Sequence, residues 1–376
     1  MTKAGWWIST RATWKTLSLS TALLLGVAAA GQISTYPPSP ENRPSTADLL
    51  PAARLALYSG RAERAYRLVL LAQPEEGSSA SWLDLCASVY LALDRPMRMA
   101  DCLASLGASD PRALKMAQAV MQRLGPSPPP AVLSVKPASM PPFDRSVARR
   151  VVGIEPAPDG SVYLLTENAL VRIDRTGRQL SSTPLARGKD MTLDEEGKVV
   201  ALGESQILWG DAVVPIPAGL DKPVSVAASP EGSLILLDRG ARRLYRLDRH
   251  GKVQGSVALS LRNPAWVRVD MAGRIYIADK STEAVHVFRA DMSPLRNIDP
   301  AAEGHPVRRM EGMEVDFAGD VMLLDGRARR AVLFSGDGRY LSATGEATRV
   351  SAMGWDGLDS AVVLDEKSGE VGRIGL

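Results

Sequence analysis

The chain has 376 residues, two cysteines, and 45 Lys plus Arg against 42 Asp plus Glu, for a formal net charge of +3. That length provides for about two domains with a sizeable apolar core, so no disulfide framework is needed to hold it. Without Lys3, Arg11 and Lys15 the charges balance at 42 of each sign, which argues against a globally basic nucleic-acid binder.

Residues 1–30 carry those three bases and no acid, and an uncharged run then ends in Ala28, Ala29 and Ala30. Charge, a short apolar run and small residues, in that order, predict a cleaved secretory signal. A retained N-terminal membrane anchor is the alternative, but the run from Thr16 to Gly31 is 16 residues, short of the roughly 20 that cross a hydrocarbon core. No cysteine follows it, so the bacterial lipoprotein pattern is absent. The mature chain is expected to be secreted or periplasmic, without a spanning helix and without nucleic acid as a partner.

Residues 31–46, with QISTYPPSPENRPST from Gln32, form a Pro-rich tether unable to build a core. Helical periodicity occupies residues 47–125, broken at Gly60, at Pro74 to Ser79, at Asp94 and Arg95, and at Gly107 to Pro111. Gly60 and Ala65, then Trp82, Cys86, Tyr90, Ala100 and Pro111, resemble tetratricopeptide repeats, with Ala65 and Ala100 35 residues apart against a period of about 34. The resemblance implies about two helix pairs, a capping helix from Pro111 to Leu124, and a groove for a peptide or partner helix. An unrelated helical hairpin bundle is the other reading. Cys86 and Cys102 fall in two helices of one such unit, where an oxidising compartment permits a disulfide. Cys102, however, lies about 200° around its helix from Ala100, so two buried thiols are the alternative.

Residues 126–142 are a Pro-rich junction in which Ala131 to Lys136 is apolar enough to be a strand. From residue 143 to 376 one pattern recurs six times: an apolar run, a turn, and a second apolar run closing six residues after the turn glycine. The pairs are Gly160 with Thr166, Gly197 with Gly203, Gly232 with Asp238, Gly273 with Asp279, Gly319 with Asp325, and Asp359 with Asp365 in a unit that has lost the glycine. Successive turns lie 37, 35, 41, 46 and 40 residues apart. Units of that length with four short strands each predict a six-bladed β-propeller.

The third and fourth units, PVSVAASPEGSLILLDRGARRLYRLDRHGKV from Pro223 and PAWVRVDMAGRIYIADKSTEAVHVFRADMSP from Pro264, resemble the NHL repeat. The fifth, from Met310, keeps the pattern, whereas the first two lack the terminal Asp. The sixth ends at the equivalent of a third strand, so its blade lacks an outer strand, and Ala131 to Lys136 is the evident donor. The expected fold is thus multidomain, α plus all-β: a short helical repeat domain, then a propeller closed by a strand from before its first blade.

That register sorts side chains onto faces. The loops leading into the innermost strands collect Arg149, Arg150, Arg187, Lys189, Lys222, Arg262, Arg308, Arg309 and Arg349 on one rim, joined by Arg239, Arg242, Lys280, Arg327 and Arg329. The opposite rim receives Asp159, Glu195, Glu196, Glu231 and Asp316. A neutral chain would thereby present one anion-attracting face, suited to an acidic glycan, another envelope polyanion or an acidic protein. Arg243 and Arg330 are expected to partner Asp238 and Asp325.

Five residues before each turn, the innermost strands carry Glu155, Thr192, Ala227, Arg268, Glu314 and Gly354, facing a central channel. Arg268 is expected to bridge Glu155 and Glu314 there, because unpaired buried charge is costly. A cation or small-ligand site is the alternative implied by a likeness to calcium-dependent propeller lactonases, whose Glu, Asn and Asp motifs do not appear in order. His250, His286 and His305 fall on separate elements, so shared zinc is not expected. No GxSxG elbow, Walker loop or dinucleotide fingerprint occurs. These features predict a non-enzymatic binding or scaffold protein of the cell envelope, with protein or peptide partners and no cofactor. A metal-dependent propeller hydrolase or lyase using the channel is the runner-up.

Overall fold

The structure, a computed structural model, describes residues 46–58, 62–72, 79–92, 99, 102, 134–137, 142–143, 145–157, 160–194, 197–316, 319–344, 350–355, 360–365 and 367–375. All of them fall within one compact unit, Pro38–Leu376. The signal segment, the tether before Thr46, the capping helix, Gly60, Ala100, Asp159, Glu195, Glu196 and Arg349 lie outside the described residues.

Among the described residues the first elements are helices α1 (Thr46–Tyr58), α2 (Ala62–Leu71) and α3 (Ala80–Ala92). In α1, Leu49, Ala53 and Ala56 are buried at helical spacing, and Ala65, Tyr66, Val69 and Leu70 do the same for α2. Ser79 starts α3 by accepting the Trp82 amide on its hydroxyl at 3.2 Å. The Trp82 indole donates 2.8 Å to the Val69 carbonyl and so ties α3 to α2. Cys86 and Cys102 are both buried in this cluster. Met271, 4% exposed, joins the same cluster from the propeller.

A short strand β1 (Ser134–Pro137) and helix α4 (Arg145–Ala148) precede six sheets. Blade 1 is β2 (Val151–Pro156), β3 (Val162–Thr166), β4 (Ala169–Ile173) and β5 (Gln179–Pro184). Blade 2 is β6 (Asp190–Leu193), β7 (Val199–Leu202), β8 (Gln206–Trp209) and β9 (Ala212–Pro215). Blade 3 is β10 (Pro223–Ala228), β11 (Leu234–Asp238), β12 (Arg243–Leu247) and β13 (Val253–Ala258). Blade 4 is β14 (Pro264–Val269), β15 (Ile275–Asp279), β16 (Ala284–Phe288) and β17 (Pro294–Ile298). Blade 5 is β18 (Met310–Val315), β19 (Val321–Asp325), β20 (Arg330–Phe334) and β21 (Tyr340–Ala343). Blade 6 holds β22 (Val350–Trp355), β23 (Ser360–Asp365) and β24 (Val371–Gly375), and β1 lies antiparallel beside β24 with Val135 opposite Ile374. The six-bladed propeller expected from the repeat is present.

Burial follows position in the blade. LILLD of β11 is buried at every residue, covered on both faces by neighbouring blades, whereas QLSSTP of β5 is exposed throughout. Each seam between blades has its own apolar cluster: Tyr276, Val287, Met313 and Phe334 fill that of blades 4 and 5, and Ile154, Leu164, Val362 and Leu364 fill that of blades 6 and 1. A fully buried side chain of this size contributes about 1.5–3 kcal/mol, so the ring is stabilised around its whole circumference. At the last seam Gly354 presses so closely on blade 1 that a Cβ would overlap the carbonyl oxygen of Ile154. The turn glycines take positive φ, from 74° at Gly232 to 93° at Gly319, where an L side chain would be strained.

Candidate functional site

The aspartates that end the second strands prove to be organisers of the rim. Asp238 is fully buried and accepts the backbone amides of Asp221, Lys222 and Ala241. Asp279 does the same for Arg262, Asn263 and Ser281. Burial opposes ionisation of Asp279, yet the Ser281 hydroxyl and these amides hold its pKa below the usual carboxylate value. One buried carboxylate thus fixes both loops of its blade and holds Lys222 or Arg262 at the surface. Arg330 Nε stands 4.0 Å from Asp325 Oδ2, at the limit of an ion pair. Arg243 donates instead to the Ser256 hydroxyl at 2.8 Å.

Arg149, Arg150, Lys222, Arg262, Arg308 and Arg309 are all exposed on this rim. Lys189 is half-buried and donates 3.1 Å to the carbonyl of Pro223. Burial lowers the pKa of its ammonium; Arg187 and Lys222 push the same way, while Glu204 and Asp238 oppose them. Arg309 reaches Glu311 at 2.8 Å and Arg187 reaches Glu204 at 2.6 Å, both at the surface. Exposed pairs of that kind contribute about 0–1 kcal/mol and yield readily to a competing anion. On the opposite rim, Glu231 is engaged by Arg246 at 3.3 Å and Asp316 is buried. Of the acids expected on that face, these two are the ones among the described residues.

In the channel, Arg268 is 4% exposed and every nitrogen of its guanidinium is used. Nε and Nη2 donate to Glu314 at 2.8 and 2.7 Å, and Nη1 and Nη2 donate to Asp190 at 2.9 and 3.1 Å. Nη1 also donates to its own Val267 carbonyl at 2.9 Å. Asp190 additionally accepts the Ser225 hydroxyl, which in turn accepts the Val267 amide at 2.9 Å. Burial opposes the charge of Arg268, but Asp190 and Glu314 outweigh it and hold its pKa above that of ordinary arginine.

The expected bridge to Glu155 is not made, because Asp190 takes that side of the guanidinium fork. Glu155, 2% exposed, instead accepts the Trp355 amide at 3.2 Å across the seam of blades 6 and 1. Burial first, then the charges of Glu314 and Asp190, raise its pKa well above the glutamate norm, against the smaller pull of Arg268. Burial likewise raises that of Glu314, opposed by its bonds to Arg268. Of the three carboxylates near this one guanidinium, Glu155 is the one without a hydrogen bond to it. Asp190 escaped the sequence reading since it lies two residues above the channel register of Thr192. Its one signal was an acid where the other blades carry Gly153, Ser225, Trp266, Gly312 and Ala352.

Among the described residues no group of three or more His, Cys, Asp or Glu is placed to hold a metal ion. His286 bonds Asn297 at 2.9 Å and His305 stacks on Tyr340 with centroids 3.4 Å apart, on different elements. No helix among the described residues is long and apolar enough to cross a membrane.

No family model matches the chain, and no curated protein matches it. Among solved structures it is similar to the virginiamycin B lyase of Staphylococcus aureus, at 13% identity over 61% of this chain and 96% of that one, with a TM-score of 0.47. A calcium-binding protein, regucalcin, from Agrobacterium tumefaciens matches at 14% identity over 65% and 95%, with a TM-score of 0.49. A protein of unknown function from Bacteroides thetaiotaomicron matches at 13% identity over 64% and 75%, also at 0.49.

Proposed function

We propose that this is a non-enzymatic binding scaffold of the cell envelope, exported by its N-terminal segment. In this reading the helical segment, built of tetratricopeptide-like repeats, engages a peptide or helix, and the rim of an NHL-like propeller engages an acidic partner. The observation that carries it is the contrast between the two polar regions. The rim holds its basic side chains out on loops pinned by buried aspartates, while the channel's ionic groups are committed to one another. A channel-based hydrolase or lyase that used Glu314 would need that carboxylate to leave Arg268.

Arg308→Glu with Arg309→Glu should weaken binding to alginate, a polyuronate probe, and flatten its salt dependence, because screening acts on the attraction those charges supply. Binding measured from 50 to 300 mM salt checks this; unchanged affinity, or wild-type affinity indifferent to salt, would remove the rim as the binding face.

We also read β1 as the strand that completes blade 6, a reading supported by its pairing with β24. A chain beginning at Phe143 should then be about 2 kcal/mol less stable in urea than one beginning at Gly125, since each net hydrogen bond is worth about 0.5–1.5 kcal/mol. It should also aggregate through the exposed edge. Equal midpoints for the two chains would place closure elsewhere.

A further inference from the structure

We propose that the mouth of the channel on the basic rim receives a compact polyanion carrying three or more phosphate or carboxylate charges, gripped by cations from several blades at once. This deepens the rim reading and rests on it.

The blades place cations at one repeating position. Ten residues before each turn glycine stand Arg150, Arg187, Lys222, Asn263 and Arg309 in blades 1 to 5. Arg150, Lys222 and Arg309 directly precede their inner strands, whose first residues Val151, Pro223 and Met310 all pair with the last residue of the next strand. All four basic residues in this set are exposed. The same position therefore recurs around the channel axis, and four of these five blades put a cation there.

Two residues further along stand Val152, Lys189, Val224, Ala265 and Glu311, three of them uncharged, and Glu311 pairs with Arg309 at 2.8 Å. Lys189 reaches across from blade 2 to the Pro223 carbonyl beside Lys222, and within blade 3 the Arg239 amide donates 2.9 Å to the Lys222 carbonyl. Arg187 holds its place at φ 48°, where glycine would sit without strain. Below the mouth, Arg268 with Asp190 and Glu314 closes the channel, so a ligand would lie across the ring and could not thread it. Charges distributed in a ring favour a compact multivalent anion over a monoanion, because each added contact is intramolecular once the first has formed.

The test is calorimetric titration of the full-length protein with tripolyphosphate, citrate and orthophosphate, with alginate alongside. Tripolyphosphate or citrate should bind with 1:1 stoichiometry and more tightly than orthophosphate; the tighter of the two assigns phosphate or carboxylate chemistry. Lys189→Gln and Lys222→Gln should each weaken that binding about fivefold, whereas Lys252→Gln, on a turn of the other rim, should change it by less than about twofold. Melting temperatures of the variants confirm that each is folded. No saturable binding of either compact anion while alginate still binds with salt dependence would overturn the mouth site and leave the rim standing. Failure of alginate as well removes both. Equal losses for Lys252→Gln and Lys189→Gln mean diffuse charge only, which also overturns the site.

Discussion

Arg268→Met should destabilise the protein by about 3–5 kcal/mol, the usual consequence of removing one member of a buried ion pair. Asp190 and Glu314 would be left facing each other and Glu155 in a space where Arg268 now supplies all the positive charge. Urea unfolding at neutral pH measures the loss, and a variant within about 1 kcal/mol of wild type would show that water reaches the channel and solvates the acids. Glu155→Gln separates the proton from the packing, because the amide oxygen can still accept the Trp355 amide. The folded-state pKa of Glu155 lies above its unfolded value, so its stabilising contribution is complete below the ordinary glutamate range and is lost as pH rises toward the folded-state value. Wild type should therefore lose stability relative to Glu155→Gln as pH rises above the ordinary glutamate range. Glu314 acts with the same sign, so the variant's slope should be flatter without vanishing.

Gly354→Ala should be the second large loss, about 3 kcal/mol or more, since overpacking against backbone leaves nothing flexible to yield. The added methyl group would meet the Ile154 carbonyl and come within 2.8 Å of Glu155 Oε2. It would force blade 6 away from blade 1 at the seam where the Trp355 amide reaches Glu155. Denaturant midpoints followed by tryptophan fluorescence check it. A variant as stable as wild type would mean the seam has slack.

The repeat was legible because each turn needs a residue that tolerates positive φ and each second strand is covered on both sides, which writes Gly160, Gly232, Gly273 and Gly319 ahead of unbroken apolar runs. The terminal aspartates were legible as a pattern, but their job was not: Asp238 and Asp279 each join the loop that follows them to the loop that leads into their blade's inner strand. Arg268 and Glu314 could be paired from register alone. Asp190 could not, because its reach into the channel depends on where β6 begins. Asp316 read as a surface charge from its place beside a turn, and local packing buries it. The helical repeat hinges partly on Gly60, Ala100 and Pro111, which leaves α1 to α3 as a packed helical cluster whose repeat register rests on sequence.

Met271 sits in the turn between β14 and β15, at the end of blade 4 away from the basic rim, and its side chain is enclosed by the helical cluster. Whatever grips the helices therefore pulls on one end of the strands, and whatever grips the rim pulls on the other. The span between two such partners would be set by strand length, about 17 Å for five residues, and not by the slack of a Pro-rich link. Force applied across the molecule would enter at blade 4 and run along its strands, loading their hydrogen bonds in shear.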